Sequence, residues 1–133
     1  MRGRTLCLRV LPLTYEVATA PGLFPGHSVS FTEVGIDDVG LRIEYVIAPA
    51  VSKGVRGIAW VGYARDDLGN DYQDGGGAYG PSRDGATTRG VLTMPFPADE
   101  ARVLRVRLWP GGDPAGFDDD SSRAYELVVG LVL

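Results

Sequence analysis

Cysteine, histidine and lysine each occur once in this chain, as Cys7, His27 and Lys53. A single cysteine permits no intramolecular disulfide. Inside an apolar run, Cys7 reads as a small buried hydrophobe rather than a reactive thiol, and no base is placed near it. His27 stands in a Pro-Gly-His-Ser turn, and there is no Gly-x-Ser-x-Gly elbow. Paired carboxylates alone would suit a glycosidase, but such sites need a deep cleft that a small domain struggles to form. The chain is therefore read as non-enzymatic.

Other absences narrow the partner classes. The basic residues are twelve Arg and Lys53, scattered without a run, against 17 acidic residues, for a net charge of −4. Nucleic-acid binding needs a basic face, which excludes that class. No apolar stretch approaches the length of a membrane span, so no membrane insertion is expected. Met1-Arg2-Gly3-Arg4, the run from Thr5 to Leu13 and Ala18-Thr19-Ala20 imitate a secretory leader, but Arg9 and Thr14-Tyr15-Glu16 interrupt it. The expectation therefore leans to the cytoplasm. No window offers an amphipathic helix beyond a single turn at Pro97–Ala101.

What remains is glycine, proline and alternation. The 133 residues fit one domain, residues 1–133, and 44% hydrophobic content with 19 Gly and 9 Pro is the composition of many strands and many turns. Period-two patterns run through Leu6-Leu8-Val10, Val29-Phe31, Leu41-Ile43-Tyr45-Ile47, Ile58-Trp60-Gly62, Leu92-Met94-Phe96 and Leu104-Val106-Leu108. The phase changes between Phe31 and Val34, which predicts a bulge near Glu33. Tyr125 to Leu133 is apolar on both faces apart from Glu126, as for a strand deep in a sheet. The pattern predicts an all-β, antiparallel β-sandwich of seven to eight strands, immunoglobulin-like with a jelly-roll as the alternative.

Strand parity then sorts the loops. If consecutive strands run antiparallel, the turns at Asp37-Asp38, Asp66-Asp67 and Asp99-Glu100 share one end. Loops 49–56, 74–88 and 110–123 share the other, about 25 Å away. The stretch from 64 to 90 reads as a tight turn followed by a long glycine-rich loop.

Five motifs on this scaffold carry potential chemistry. Asp66 and Asp67, with the other acidic turns, supply oxygens of the kind calcium takes, but Leu68 and Gly69 occupy the third position of either EF-hand register. The alternative is that they are turn residues accepting backbone N–H bonds. Gly69–Gly76 resembles part of a calcium-binding nonapeptide repeat, but Gln73 stands where an apolar residue belongs and barely one copy is present. Gly75-x-Gly77-x-x-Gly80 spells a dinucleotide fingerprint without the helix that motif requires. Asp118, Asp119 and Asp120 form a run of like charges, expected to be a mobile, solvated loop near Lys53, Arg56 and Arg83, with cation capture as the alternative. Trp109 is out of phase with its strand; it either caps the rim of the core or stands exposed beside Tyr79 as a stacking or anchoring group.

The runs Val61–Tyr72, Gly90–Pro97, Ala101–Val106 and Glu33–Tyr45 resemble uncharacterised bacterial immunoglobulin-like β-sandwich domains of the actinobacterial type. The shared features are an Asp-Asp-x-Gly turn followed shortly by Tyr, Gly-x-Leu-x-Phe-x-Pro-like spacing, and an Arg/Leu-rich strand. The resemblance covers about residues 28–110, implies the sandwich and a non-catalytic role, and transfers no site residue. Two functions are expected from the whole. The first is a protein-interaction or assembly module, including self-association, with Tyr79, Arg83 and Trp109 in the contact surface and no required cofactor. The second is a calcium-assisted carbohydrate-binding module using Asp66, Asp67 and Asp118–Asp120.

Overall fold

A computed structural model describes residues 11–17, 26–51, 60–110 and 114–131. The expected strand at 6–10, Cys7, Lys53, Arg56, Ile58 and Asp113 lie outside the described residues.

The strands are β1 (Leu11–Pro12), β2 (Tyr15–Val17), β3 (Ser28–Ile36), β4 (Leu41–Ala48), β5 (Val61–Asp66), β6 (Asp71–Gln73), β7 (Gly77–Pro81), β8 (Thr88–Met94), β9 (Val103–Trp109) and β10 (Tyr125–Gly130). They form two five-stranded sheets, ordered β1-β3-β4-β8-β7 and β2-β10-β9-β5-β6. Every described pairing is antiparallel. The all-β sandwich is the predicted fold class. The strand number exceeds the seven or eight read from alternation, because β1, β2 and β6 are too short to show a period. β7 hides behind glycine and proline.

Alternation sets the core. Leu41, Ile43, Tyr45 and Ile47 of β4 face Leu104, Val106, Leu108, Leu127 and Val129 of the second sheet in one buried cluster. Burying each such side chain contributes roughly 1.5–3 kcal/mol. The pairing of β3 with β4 slips between Phe31 and Glu33, leaving Thr32 as the extra residue. That slip moves the buried set from the Phe31 phase to the Val34 phase. Trp60 lies just ahead of β5, half-buried, with its ring edge-on to Tyr45 at 5.4 Å. β10 sits between β2 and β9, in accord with its two-sided apolar character.

The acidic turns gather at one end. Asp67 Oδ1 accepts the backbone N–H groups of Arg102 and Val103 at 2.9 and 3.3 Å. The Tyr72 hydroxyl accepts the Ala98 N–H. Gly40 lies so close to Met94 and Phe96 that a Cβ there would overlap the Met94 carbonyl. At the opposite end, Ala50 N–H donates to the Ala86 carbonyl and Val51 N–H to Thr88 Oγ1.

Candidate interaction surface

The segment expected to be a long loop from 74 to 88 is instead a strand and a tight turn. Gly75 and Gly76 cross to the first sheet by hydrogen bonds with Thr93, and Gly77–Pro81 then pairs with Thr88–Leu92 of β8. Glycine is needed at 77, where a Cβ would overlap the Val91 carbonyl. Residues 82–87 close the hairpin, with Asp84 Oδ1 accepting from the Ser82 hydroxyl and the Ala86 N–H. Arg83 is exposed on that turn.

Alternation of the ladder fixes which backbone groups of β7 face outward. Ser82 N–H donates to the Thr87 carbonyl at 2.8 Å, and Thr93 N–H to the Gly76 carbonyl at 3.0 Å. Both ends thus mark the even-numbered residues as the positions bonded to β8. The N–H and C=O of Gly77 and Tyr79, and the C=O of Pro81, point away from the sheet. Proline fits there because its missing donor costs no ladder bond. Gly77, Ala78, Tyr79 and Pro81 are all exposed.

Tyr79 stands at the centre of this edge. Its cross-strand partner is Gly90, where a Cβ would run into the Tyr45 ring, so position 90 faces the core. Directly opposite residues share a face. Tyr79 therefore projects to the core side of the edge, yet stays 47% exposed. The Tyr45 hydroxyl behind it is pushed up to about 12, chiefly by burial.

β7 is the longest of the four described edges: β1 has two residues, β2 three and β6 three. At β6 the exposed Asp71 is tied to Arg65 Nε at 2.6 Å. β7 carries no charge at all. Sheet edges are ordinarily guarded by charge, proline, bulges or short length; here the guards sit only at the two ends.

The other candidate residues lie elsewhere. Trp109 is 4% exposed on the outer face of the second sheet, and Tyr79 is on the edge of the first. The two do not form one contact surface, and Trp109 is not an exposed anchor. Its indole N–H donates to the Asp120 carbonyl at 3.1 Å, and Tyr63 meets its ring edge-on at 6.1 Å. The segment from Pro114 to Asp120 roofs this pair. Phe117 lies between the guanidinium groups of Arg65 and Arg107, 4.7 and 4.1 Å from its ring centre. Arg107 also donates to the Phe117 carbonyl and to Glu126.

Asp118, Asp119 and Asp120 are exposed, as a solvated acidic segment implies, yet each accepts hydrogen bonds within the fold. Asp118 takes two bonds of 2.9 Å from Arg65, whose charge holds its carboxyl below the usual range. Asp119 accepts the Ala115 and Asp120 N–H groups, and Asp120 accepts the Ser122 hydroxyl and N–H. The three aspartates point to three different partners.

Asp66 is buried, and four donors surround its carboxylate. Leu68 N–H and Asn70 N–H reach Oδ1 at 2.9 Å; the Asn70 amide and Tyr72 hydroxyl reach Oδ2 at 2.9 and 2.7 Å. Burial opposes its ionisation, but these bonds together outweigh burial and lower its pKa to about 2. Asp67, bonded first to the Arg102 N–H, is lowered as well. The Asp66 lone pairs a cation would take are engaged by N–H and O–H donors. Among the described residues, no three His, Cys, Asp or Glu side chains converge as metal ligands would.

The feature that the sequence does not show is the edge strand formed by Gly77, Ala78, Tyr79, Gly80 and Pro81. Glycine and proline weaken every strand signal, although Pro81 at an outward-facing position marks an edge strand once the register is known.

Among the described residues, fold and surface thus define an antiparallel β-sandwich whose β7 edge is exposed and uncharged. No protein-family model matches the chain, and no curated protein matches it. Among solved structures, it is similar to one described as the conserved domain protein from Bacillus anthracis, at 21% identity and a TM-score of 0.42. The alignment covers 92% of this chain and 50% of that one, so the chain spans about half the length of that protein.

Proposed function

We propose that the domain is a non-catalytic interaction module whose binding element is the β7 edge. The observation that carries this is an exposed, uncharged five-residue strand with outward N–H and C=O groups at Gly77 and Tyr79. Strand addition uses such an edge: main-chain bonds supply affinity, and an exposed side chain such as Tyr79 supplies selectivity. Arg83, at the end of the strand, adds a charge that favours an acidic flank on the bound segment. Trp109 belongs to the packing under the 114–120 segment and leaves the contact surface. The calcium-assisted carbohydrate module draws less support, since Asp66, Asp118 and Asp119 engage both carboxylate oxygens within the fold and Asp67 and Asp120 engage Oδ1.

The test is a selection of extended peptides from a random library against the immobilised domain, repeated with Tyr79→Pro. That substitution deletes one outward donor without removing a bond to β8. Peptides that bind the wild type and lose binding to Tyr79→Pro support the module; binders indifferent to the change would refute it.

A further inference from the structure

The outward groups of β7 are arranged symmetrically about Tyr79. Gly77 offers a donor and an acceptor, Tyr79 offers both, and Pro81 offers an acceptor only. When two such strands run antiparallel with Tyr79 opposite Tyr79, each Gly77 falls opposite the second copy's Pro81. Each Tyr79 N–H then donates to the other Tyr79 carbonyl, and each Gly77 N–H donates to the opposing Pro81 carbonyl. Four bonds form, and the donor that Pro81 lacks leaves only the Gly77 carbonyl without one.

Sterics and charge agree with this pairing. A two-fold axis perpendicular to the sheet puts the core-side faces of both copies on the same side. The two half-exposed Tyr79 rings then meet and cover each other. No charged residue lies between Gly77 and Pro81, so two copies meet without repulsion at the seam despite the net charge of −4. Joining two five-stranded sheets gives a continuous sheet of about ten strands, within the range open sheets adopt.

We propose that the partner of β7 is a second copy of this chain, paired antiparallel and in register at Tyr79. This rests on the reading of β7 as a binding edge. The seam is short, so the dimer is weak and visible only at high protein concentration.

Sedimentation equilibrium of the full chain tests it. The mass should rise with concentration from 14.2 kDa toward twice that value. Tyr79→Pro removes the two symmetry-related bonds together and should weaken the dimer about 30-fold. Tyr79→Lys, which sets like charges opposite each other, should weaken it too and serves if the proline variant fails to fold. Register is read by oxidation in a Cys7→Ser background. Tyr79→Cys should cross-link, its Cα atoms being about 5.5 Å apart across the seam. Ala78→Cys should not, because those positions lie diagonally, about 7–8 Å apart. A chain that stays monomeric at every concentration and does not cross-link through Tyr79→Cys overturns self-pairing. If that monomer still binds peptides in a Tyr79-dependent way, β7 remains a binding edge; if it binds none, both proposals fall. A dimer equally strong in Tyr79→Pro and Tyr79→Lys also overturns the proposal.

Discussion

Replacing Asp66 with Asn should cost this domain about 2–3 kcal/mol, and the cost should disappear in acid. Asparagine keeps one acceptor oxygen for the Leu68 and Asn70 N–H groups. Its amide, however, turns two hydrogens toward the Asn70 amide and the Tyr72 hydroxyl, which donate to Oδ2 of the aspartate. Two bonds to a charged acceptor are lost; each is worth about 1.5–3 kcal/mol, partly recovered as Tyr72 and Asn70 re-orient. The lowered pKa gives the same scale: from an ordinary 3.8 to about 2, ionisation contributes about 2 kcal/mol of stability. Because the folded-state pKa is depressed, this contribution is complete above about pH 4. It is lost as the pH falls through about 2.

Urea unfolding of wild type and Asp66→Asn, followed from pH 7 to pH 2, reads both quantities. At pH 7 the gap should correspond to a fall in melting temperature of about 10 °C for a domain of this size. Between pH 4 and pH 2 the gap should close. It should also be the same in EDTA and in millimolar calcium, because the carboxylate serves the turn. A gap below 1 kcal/mol, or one unchanged down to pH 2, would refute the reasoning. Calcium stabilisation of the wild type alone would return Asp66 to the role of a metal ligand.

Two further outcomes follow from the packing. Phe117→Ala empties the space between Arg65 and Arg107 and should cost about 2–3 kcal/mol. In hydrogen exchange, the Trp109 indole and the Ala115 amide should lose protection while β3 and β4 keep theirs. Tyr45, whose pKa is pushed up to about 12 chiefly by burial, keeps its full contribution below about pH 10 and loses it as the pH rises through 12. Alkaline unfolding should therefore move to higher pH in Tyr45→Phe, as followed by circular dichroism.

The strands with the clearest alternation were legible because one face is apolar and the other polar. Leu41-Ile43-Tyr45-Ile47 and Leu104-Val106-Leu108 are buried as their period implies. The bulge near Glu33 was legible from the phase change alone, and parity brought the Asp37-Asp38, Asp66-Asp67 and Asp99-Glu100 turns to one end, where Asp67 meets Arg102, Tyr72 meets Ala98 and Gly40 meets Met94. β7 was not legible: Gly77, Gly80 and Pro81 favour a loop by local propensity, and pairing with β8 overrides that preference. The exposure of the 118–120 segment was legible, but its partner was not. Its charges look solvated in isolation, and only the distant Arg65, 53 residues away, supplies the counter-charge.

By itself, the sequence determined the fold class and the core faces of the long strands, because these follow from local period and composition. Tertiary structure alone decided which polar groups are spent and which are free. Asp66, Asp118 and Trp109 look available in the sequence, yet Asp66 is engaged by its own turn and Tyr72, Asp118 by the distant Arg65, and Trp109 by Asp120 and Tyr63. The backbone of β7 looks like slack loop, yet its outward N–H and C=O groups lie open. Hydrogen-bond satisfaction is a property of three-dimensional neighbours, and no one-dimensional pattern records it.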